Sequence, residues 1–189
     1  MAGPLDAVVW SIDRHDVITA VGGAWDEFAR VNDAPWLSAH SAVGRSLFGF
    51  IDGEPTRRAY QRIFASARAS GRTLRIPFRC DSPVVRRWME LAIVPFDDAT
   101  VQFRTALLRS EKRDAVRLLD ALESRSSLDA SMCSFCLNVR TIAGWVDAEE
   151  ASRRLQLDVA PRQPQIRHVI CPDCSALLAE CAADPGARP

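Results

Sequence analysis

The 189-residue chain lacks net charge, a long apolar segment and a recognisable export signal. Its 24 basic and 24 acidic residues give a formal net charge of +0, so no overall field draws it to nucleic acid or an anionic membrane. No segment approaches the roughly 20 apolar residues of a membrane span, and the N-terminus has no basic region followed by an apolar run. These absences predict a cytoplasmic protein with no membrane partner and argue against nucleic-acid binding.

Residues and motifs that carry catalysis are also scarce. The sequence has 3 histidines and contains no Ser–His–acid set, phosphate-binding glycine loop or kinase motif. Gly22 and Gly23 lack the spacing of a dinucleotide-binding loop and are better explained as a turn before a helix. We therefore expect no enzymatic activity and no catalytic residues.

What the chain does contain is an uneven set of 6 cysteines. Cys80 stands alone in the first half, whereas the other five lie in the last third. In a reducing compartment such thiols indicate metal or redox chemistry more than structural disulfides. A hydrophobic content of 48% is enough for a packed core. The sequence predicts four parts: a domain at 1–110, a connecting helix at 111–128, a small module at 129–181 and a disordered tail at 182–189.

Hydrophobic patterning predicts a first domain of mixed α and β structure. Strands are predicted at 7–13, 17–21, 73–80, 86–96 and 100–108, and helices at 22–33, 52–71 and 110–125. The helix at 52–71 is the clearest, with Asp52 as its cap and Gly71 at its end. Pro77 cannot donate a hydrogen bond to a neighbouring strand, so its strand is predicted to lie at a sheet edge.

This order of elements resembles that of a PAS domain. The stretches "ITAVGGAWDEFARVNDA" and "VGRSLFGFI" are similar to PAS patterns, and the resemblance spans roughly residues 6–110. It implies a PAS-like five-stranded antiparallel sheet in the order 2-1-5-4-3 with flanking helices. The expected fold class is α+β, with this sheet followed by a helix and a small module whose CxxC pairs, Cys133/Cys136 and Cys171/Cys174, are typical of a zinc-ribbon or treble-clef-like fold. The third strand then lies at an edge, in agreement with the position of Pro77.

A narrower resemblance covers nearly the whole chain. The stretch "IPFRCDSPVVRRWMEL", followed by "CSFC…W…E…HVICPDC", resembles a family of bacterial PAS-like proteins of unassigned role. The C-terminal piece is also similar to modules appended to bacterial signalling proteins. Leu137 stands where those modules usually have a lysine, so nothing that depends on that lysine is expected here. The resemblance implies a sensory role with a small-molecule ligand or a protein partner, and a homodimer is an open alternative.

PAS domains bind ligands between the sheet and the helices, but the sequence does not name one. The Asn-Cys-Arg-Phe motif of flavin photoreceptors is absent, which argues against flavin. His15 and His40 fall in a predicted turn and a polar loop, which argues against haem. The aromatic residues of the first domain are interpreted as core: Trp10, Trp25, Phe28, Trp36, Phe48 and Phe64.

The cysteines of the last third follow the pattern C-x2-C-x34-C-x2-C. Two CxxC turns brought together place four thiolates around one ion, an arrangement suited to Zn²⁺. The predicted zinc ligands are Cys133, Cys136, Cys171 and Cys174. A module of about 50 residues has a small core, so it also needs a bound metal for stability.

Other residues of the module leave alternatives open. His168 has three interpretations: an alternative ligand that replaces one thiolate, a second-shell donor to a thiolate, or a polar residue before a strand. Asp147 is predicted to cap a short helix, with Glu150 completing a capping box. The CxxC thiols could also oxidise and release zinc, which would make the protein a redox-responsive regulator.

An arginine-rich hairpin in the first domain has two interpretations. Arg79, Arg86 and Arg87 surround Asp81 and form either a solvated sheet edge or a contact for an anionic ligand or an acidic partner. Pairing of Asp81 with one of these arginines would weaken the second interpretation. Trp88 points away from the predicted core and is a candidate for packing the terminal helix or a dimer partner.

These observations support three hypotheses of different classes. The first is a non-enzymatic sensory or protein-interaction protein, in which the helix around Leu118–Leu122 transmits the signal. The second is the redox-responsive regulator. The third is a nucleic-acid-binding regulator that would use arginines of the zinc module, although nearby acidic residues offset their charge.

Overall fold

The computed structural model describes residues 8–31, 34 and 36–183 of the chain. Its first sheet is antiparallel and five-stranded, in the order β2-β1-β5-β4-β3. The strands are β1 (Val8–Ile12), β2 (Ile18–Gly23), β3 (Leu74–Arg79), β4 (Val85–Pro95) and β5 (Val101–Lys112). The predicted PAS-like sheet is confirmed. Pro77 lies on the edge strand β3 opposite Glu90, where its missing N–H breaks no sheet hydrogen bond.

Helices cover one face of this sheet. They are α1 (Trp25–Val31), α2 (Ala39–Ala42), a short 3-10 helix (Leu47–Phe50) and α3 (Glu54–Ser70). The apolar stripe of α3 is buried: Ile63, Phe64 and Ala67 belong to the same core as the strand residues Ile93 and Phe103. This face of the sheet is therefore the place where an interior site can form.

The sequence predicted the C-terminal end of α3 correctly but not its N-terminal cap. Gly71 ends the helix as expected, with a φ of 63° that favours glycine. The predicted cap Asp52 is wrong, because the helix starts at Glu54 and its cap is Gly53, which has no side chain to donate or accept. The end of the helix predicted at 22–33 falls on Asn32 and Asp33, which lie outside the described residues.

The predicted connecting helix at 111–128 is wrong. Strand β5 continues to Lys112, which pairs with Val85 of β4, and only a short 3-10 helix at Arg117–Leu119 follows. Leu118 is fully buried but Leu122 is 78% exposed, so the apolar stripe does not face one core. Long-range strand pairing overrides the local helical preference. A helix around Leu118–Leu122 therefore cannot transmit a signal.

The C-terminal part forms a second, smaller sheet with the order β8-β7-β6-β9. Its elements are β6 (Arg125–Cys133), β7 (Val139–Thr141), β8 (Gly144–Val146), α4 (Ala148–Arg154), β9 (Gln163–Val169) and α5 (Pro172–Ala183). Asp147 caps α4 as predicted, because its carboxylate accepts from the Glu149 N–H at 3.0 Å. Glu150 does not complete the capping box and pairs with Arg153 and Arg154 instead.

The two sheets share a core. Three of the cysteines, together with Phe135 and Leu178, pack in one apolar cluster with residues of the first sheet. Helix α5 also contacts the first half, since the Ser66 hydroxyl donates to the Ala182 carbonyl at 2.7 Å. Ala182 and Ala183 are helical, whereas the rest of the predicted tail, 184–189, lies outside the described residues. The predicted domain boundaries stay predictions.

In the part of the chain that the structure describes, no helix is both long and apolar enough to cross a membrane.

Candidate metal centre and adjoining cavity

The four predicted ligands converge because of the way the second sheet is built. Strands β6 and β9 are parallel neighbours, so their carboxyl ends lie at the same edge. Cys133 ends β6, and Cys136 lies in the turn that follows it. Cys171 comes just after β9, and Cys174 lies in the first turn of α5. Both CxxC segments therefore meet at one point.

The sulfur positions fit a tetrahedral metal site. The four Sγ atoms all lie within 4.8 Å of one another, and the Cys136 and Cys171 sulfurs are 3.7 Å apart. A tetrahedron with metal–sulfur bonds of about 2.3 Å has edges of about 3.8 Å. A disulfide would need about 2.05 Å, and all six cysteines are free. The four sulfurs are therefore placed so that they could hold one ion, and they do not form a disulfide.

Hydrogen bonds within the group shift the pKa values of three of its thiols in different directions. Bonds from Cys136 and Cys174 lower the pKa of Cys133, whose sulfur also accepts from the Cys171 N–H at 3.4 Å. The same interactions with Cys133 raise the pKa of Cys136 to about 12 and raise the pKa of Cys174 as well. A metal ion would therefore have to displace the protons of Cys136 and Cys174, as is general for thiolate sites.

His168 is not one of the donors in this group. Among the described residues, the group of possible ligand atoms consists of the four sulfurs alone, so an imidazole ligand is not supported. The backbone of His168 has a different role: a Cβ on Gly53 would lie 2.3 Å from its carbonyl oxygen. The glycine at the start of α3 thus lets β9 approach closely. A second-shell role for the His168 side chain stays a prediction.

The first CxxC loop docks on the PAS-like half. The Ser134 and Thr56 hydroxyls are 2.8 Å apart, and the Arg79 N–H donates to the Phe135 carbonyl at 2.6 Å. The Phe135 ring is only 2% exposed and lies 5.5 Å from the Tyr60 ring. Sequence reasoning missed Phe135, although an aromatic residue between two ligand cysteines was a visible signal.

An apolar cavity lies next to this loop, between the first sheet and its helices. One part, of about 140 Å³, is lined by Phe135, Tyr60 and Phe64 among others. A second part, of about 280 Å³, extends towards α1 and is lined by residues such as Cys80 and Met89. Three residues line both parts, namely Trp10, Leu47 and Phe78. Four of the aromatic residues interpreted as core line the cavity, namely Trp10, Trp25, Phe28 and Phe64, whereas Trp36 is 74% exposed.

Few polar groups reach this cavity. The indole nitrogen of Trp10 is buried and has no hydrogen-bond partner among the described residues. The Thr105 hydroxyl is engaged by the Val8 N–H at 3.1 Å. Burial raises the pKa of the Cys80 thiol and raises the pKa of Tyr60 to about 12. The described residues that line the cavity include no charged side chain.

The arginine-rich hairpin joins the two halves through charge pairs. Asp81 is completely buried, accepts from the Arg87 N–H at 2.9 Å and pairs with Arg79 and Arg113. Arg79 and Arg86 also reach Asp147, the cap of α4, at 3.3 and 3.1 Å. The predicted pairing of Asp81 is confirmed. Arg79 and Arg86 are thus paired with carboxylates, which weakens the case for an anionic ligand or an acidic partner. The Arg87 guanidinium donates to the Cys80 carbonyl at 3.1 Å, and its contact with such a ligand or partner stays a prediction.

Trp88 lies beneath arginines of the same hairpin region. The guanidinium carbons of Arg79, Arg86 and Arg109 are 5.1, 5.8 and 4.7 Å from its ring centre. Such cation–π contacts cover an aromatic ring that would otherwise face solvent. The indole therefore packs under charged side chains, and its predicted contact with a dimer partner stays a prediction.

Comparison of the sequence with known proteins gives a match to a small part of a much longer protein. No family model matches the chain. The uncharacterized 104.1 kDa protein in hypE 3'region of Rhodobacter capsulatus is 32% identical over 95 residues, which are 47% of this chain and 10% of that protein. The match thus spans about a tenth of the relative's length.

Three solved structures are similar in fold. The PAS domain of the RpfR quorum-sensing receptor from Cronobacter turicensis, in complex with C12:0, has a TM-score of 0.43 and 12% identity, and covers 58% of this chain and 100% of that chain. A domain of an HTR-like protein from Haloarcula marismortui has a TM-score of 0.37 and 19% identity, with coverage of 55% and 98%. The photoactive yellow protein domain of the sensor histidine kinase Ppr from Rhodospirillum centenum has a TM-score of 0.38 and 16% identity, with coverage of 53% and 90%. Likeness at this level assigns no function.

Proposed function

We propose that the protein is a non-enzymatic sensory protein whose first half binds a small apolar molecule and whose second half is closed by zinc. The observation that carries the proposal is the apolar cavity between the sheet and its helices, with parts of about 140 and 280 Å³. Concave, mostly apolar sites with a few polar groups are typical of small-molecule binding. A protein partner, or a second copy of the chain, would receive the signal.

The chemistry of the cavity wall limits the ligand. Burial of an unpaired charge costs several kcal/mol, and the described lining residues offer no charge to pair with. The indole N–H of Trp10 has no partner within the described part of the chain and would suit a carbonyl or hydroxyl oxygen. The ligand class is therefore an uncharged, largely apolar molecule with one hydrogen-bond acceptor.

Zn²⁺ would be held by Cys133, Cys136, Cys171 and Cys174. When bound, it supplies a structural cross-link between β6, β9 and α5, and four thiolates leave no open position for a reacting water. In this proposal the residues of the site orient and pack the CxxC loops. Neither the metal centre nor the cavity is proposed to carry out a reaction.

The test combines metal analysis with ligand binding on the full chain. Protein purified without added metal should contain about one zinc and show no haem or flavin absorption. The neutral fluorophore N-phenyl-1-naphthylamine should bind, and 1-decanol should displace it better than decanoate does. Trp10→Phe should weaken decanol binding about fivefold, because it removes one hydrogen-bond donor. Absence of probe binding, or equal binding of both competitors, would contradict the proposal.

A redox-responsive regulator is a second candidate, favoured by the exposure of one thiol. Cys136 is partly exposed, whereas Cys133, Cys171 and Cys174 are buried. A peroxide could take two electrons from two thiolates, forming one S–S bond and, with two protons, two waters from hydrogen peroxide, while Zn²⁺ leaves. Mild peroxide should then release zinc, and a thiol reductant with added zinc should restore it. Thiols that stay inert under these conditions would remove this candidate.

Nucleic-acid binding has less support. Among the described residues, Arg153 and Arg154 pair with Glu150 and Arg167 pairs with Asp129. These pairs compete with phosphate contacts.

A further inference from the structure

We propose that the metal centre and the cavity are energetically coupled through Phe135, so that metal binding favours ligand binding and the reverse. The coupling rests on the proposed function, because it needs both the metal and the ligand. Its basis is the position of Phe135 in the chain and in space. The residue lies between Cys133 and Cys136, and its ring forms part of the wall of the cavity.

The CxxC loop is so short that metal coordination by Cys136 also sets the position of Phe135, which lines the cavity. Only two residues, Ser134 and Phe135, separate the ligand cysteines. Cys133 is completely buried at the end of β6. Any movement of Cys136 must therefore change the backbone conformation of Ser134 and Phe135. The Phe135 backbone is tied to the first half through the Arg79 N–H at 2.6 Å. Metal coordination at Cys136 therefore fixes the position from which the ring reaches the cavity.

Aromatic contacts carry this position into the cavity. The Phe135 and Tyr60 rings are 5.5 Å apart, and the Tyr60 and Phe64 rings are 5.6 Å apart. Phe64 meets Phe103 edge-on at 5.1 Å, and Phe103 stacks on Trp10 at 4.9 Å. All five rings line the smaller part of the cavity. A displacement of Phe135 thus changes the space beside the other four rings, because tightly packed side chains transmit such shifts.

Two consequences follow from thermodynamic linkage. If the metal raises ligand affinity by some factor, the ligand must raise metal affinity by the same factor. Coupling of this kind is commonly about 5- to 150-fold, and we expect about tenfold for a single shared side chain. The coupling should depend on Phe135 and not on cavity residues remote from the loop.

The experiment uses the full chain with Co²⁺ bound in place of zinc. The absorption bands of the bound Co²⁺ report the geometry of the thiolate site. N-phenyl-1-naphthylamine serves as the cavity probe. Wild type, Phe135→Leu and Met89→Ala are compared, since Met89 lines the larger part of the cavity away from the loop. Co²⁺ affinity is measured with and without the probe, and the bands are recorded at probe saturation. Circular dichroism verifies that each variant is folded.

We expect the probe to shift the Co²⁺ bands and raise Co²⁺ affinity about tenfold in wild type. Met89→Ala should bind the probe more weakly but keep both effects at saturation, whereas Phe135→Leu should lose both. If wild type binds probe and metal without mutual effect, or if Phe135→Leu retains the coupling, the inference is overturned. A chain that binds no probe or no metal would instead refute the proposed function, and the coupling with it.

Discussion

The two halves of the molecule achieve their stability in different ways. The first sheet has five strands, and residues such as Ile93, Phe103 and Leu74 have no exposed surface. In the second sheet, β7 and β8 have three residues each, and the separate apolar cluster beneath it is small. Apolar burial can hold the first half together, whereas the second needs its cysteines and its charge pairs.

The same comparison shows that the second half is not an independent unit. Three of its cysteines are buried in the core that it shares with the first half, and Arg79 of the first half pairs with both Asp81 and Asp147. A structural metal site usually stabilises the module that contains it; the site formed by Cys133, Cys136, Cys171 and Cys174 is called the cysteine clip here. In our proposal, metal binding by the four cysteines also fixes the position of Phe135, which lines the neighbouring cavity.

The largest expected effect comes from the loss of one thiolate. Cys171→Ser should abolish zinc binding and unfold the second sheet, because structural zinc sites contribute on the order of 10 kcal/mol. The measurement is zinc content with thermal unfolding followed by circular dichroism. Cys181→Ala is the matched control, since Cys181 is buried outside the four-sulfur group; it should keep its zinc and lose only about 1 kcal/mol. Full zinc content in Cys171→Ser would refute the assignment.

A second substitution tests the buried ion pairs of Asp81, which position Arg79 for its contact with Asp147 of the second half. Asp81→Asn leaves Arg79 and Arg113 without their buried partner, which should lower the free energy of unfolding by about 3–5 kcal/mol. Urea unfolding at neutral pH measures it. Glu54→Gln is the control, because its pair with Arg58 is exposed and contributes about 0.5 kcal/mol or less. Equal losses in the two variants would show that the buried pairs of Asp81 contribute no more stability than an exposed pair.

A third substitution tests the close approach of α3 and β9. Gly53→Ala would place a Cβ 2.3 Å from the His168 carbonyl oxygen and would require a φ of +81°. We expect a loss of about 1–3 kcal/mol, the typical cost of backbone strain. Gly22→Ala meets no atom within 4 Å and should change stability by less than about 1 kcal/mol. Similar unfolding midpoints for both variants would contradict the close contact.

The smallest effect appears only at high pH. Burial raises the pKa of Tyr60 to about 12, above the value of about 10 in an unfolded chain. The folded state therefore retains the phenol proton more tightly, so its contribution to stability is complete below pH 10 and is lost as the pH rises towards 12. The chain has a single tyrosine, so phenolate absorbance reports this residue alone. A midpoint near 10 in the folded protein would mean that the hydroxyl is solvated.

Local patterns and long-range contacts explain which features the sequence could reveal. Strand alternation located the strands of the first sheet, and the missing donor of Pro77 placed one of them at an edge, because these signals act within one element. The CxxC spacing identified the four sulfurs for the same reason. The order of the strands was implied only by the resemblance to PAS domains. The predicted helix at 111–128 failed because pairing of β4 with the extended β5 outweighs local preference. The docking of Phe135 and the partner of Arg86 depend on contacts between residues distant in sequence.

The most direct test of the account is hydrogen exchange before and after zinc is removed by a chelator under reducing conditions. If the cysteine clip belongs to the shared core, zinc removal should reduce amide protection in the second sheet and also in α3 and β3, which contact the CxxC loop and α5. Loss of protection confined to residues 125–183, with α3 and β3 unchanged, would contradict the claim that the clip stabilises both halves.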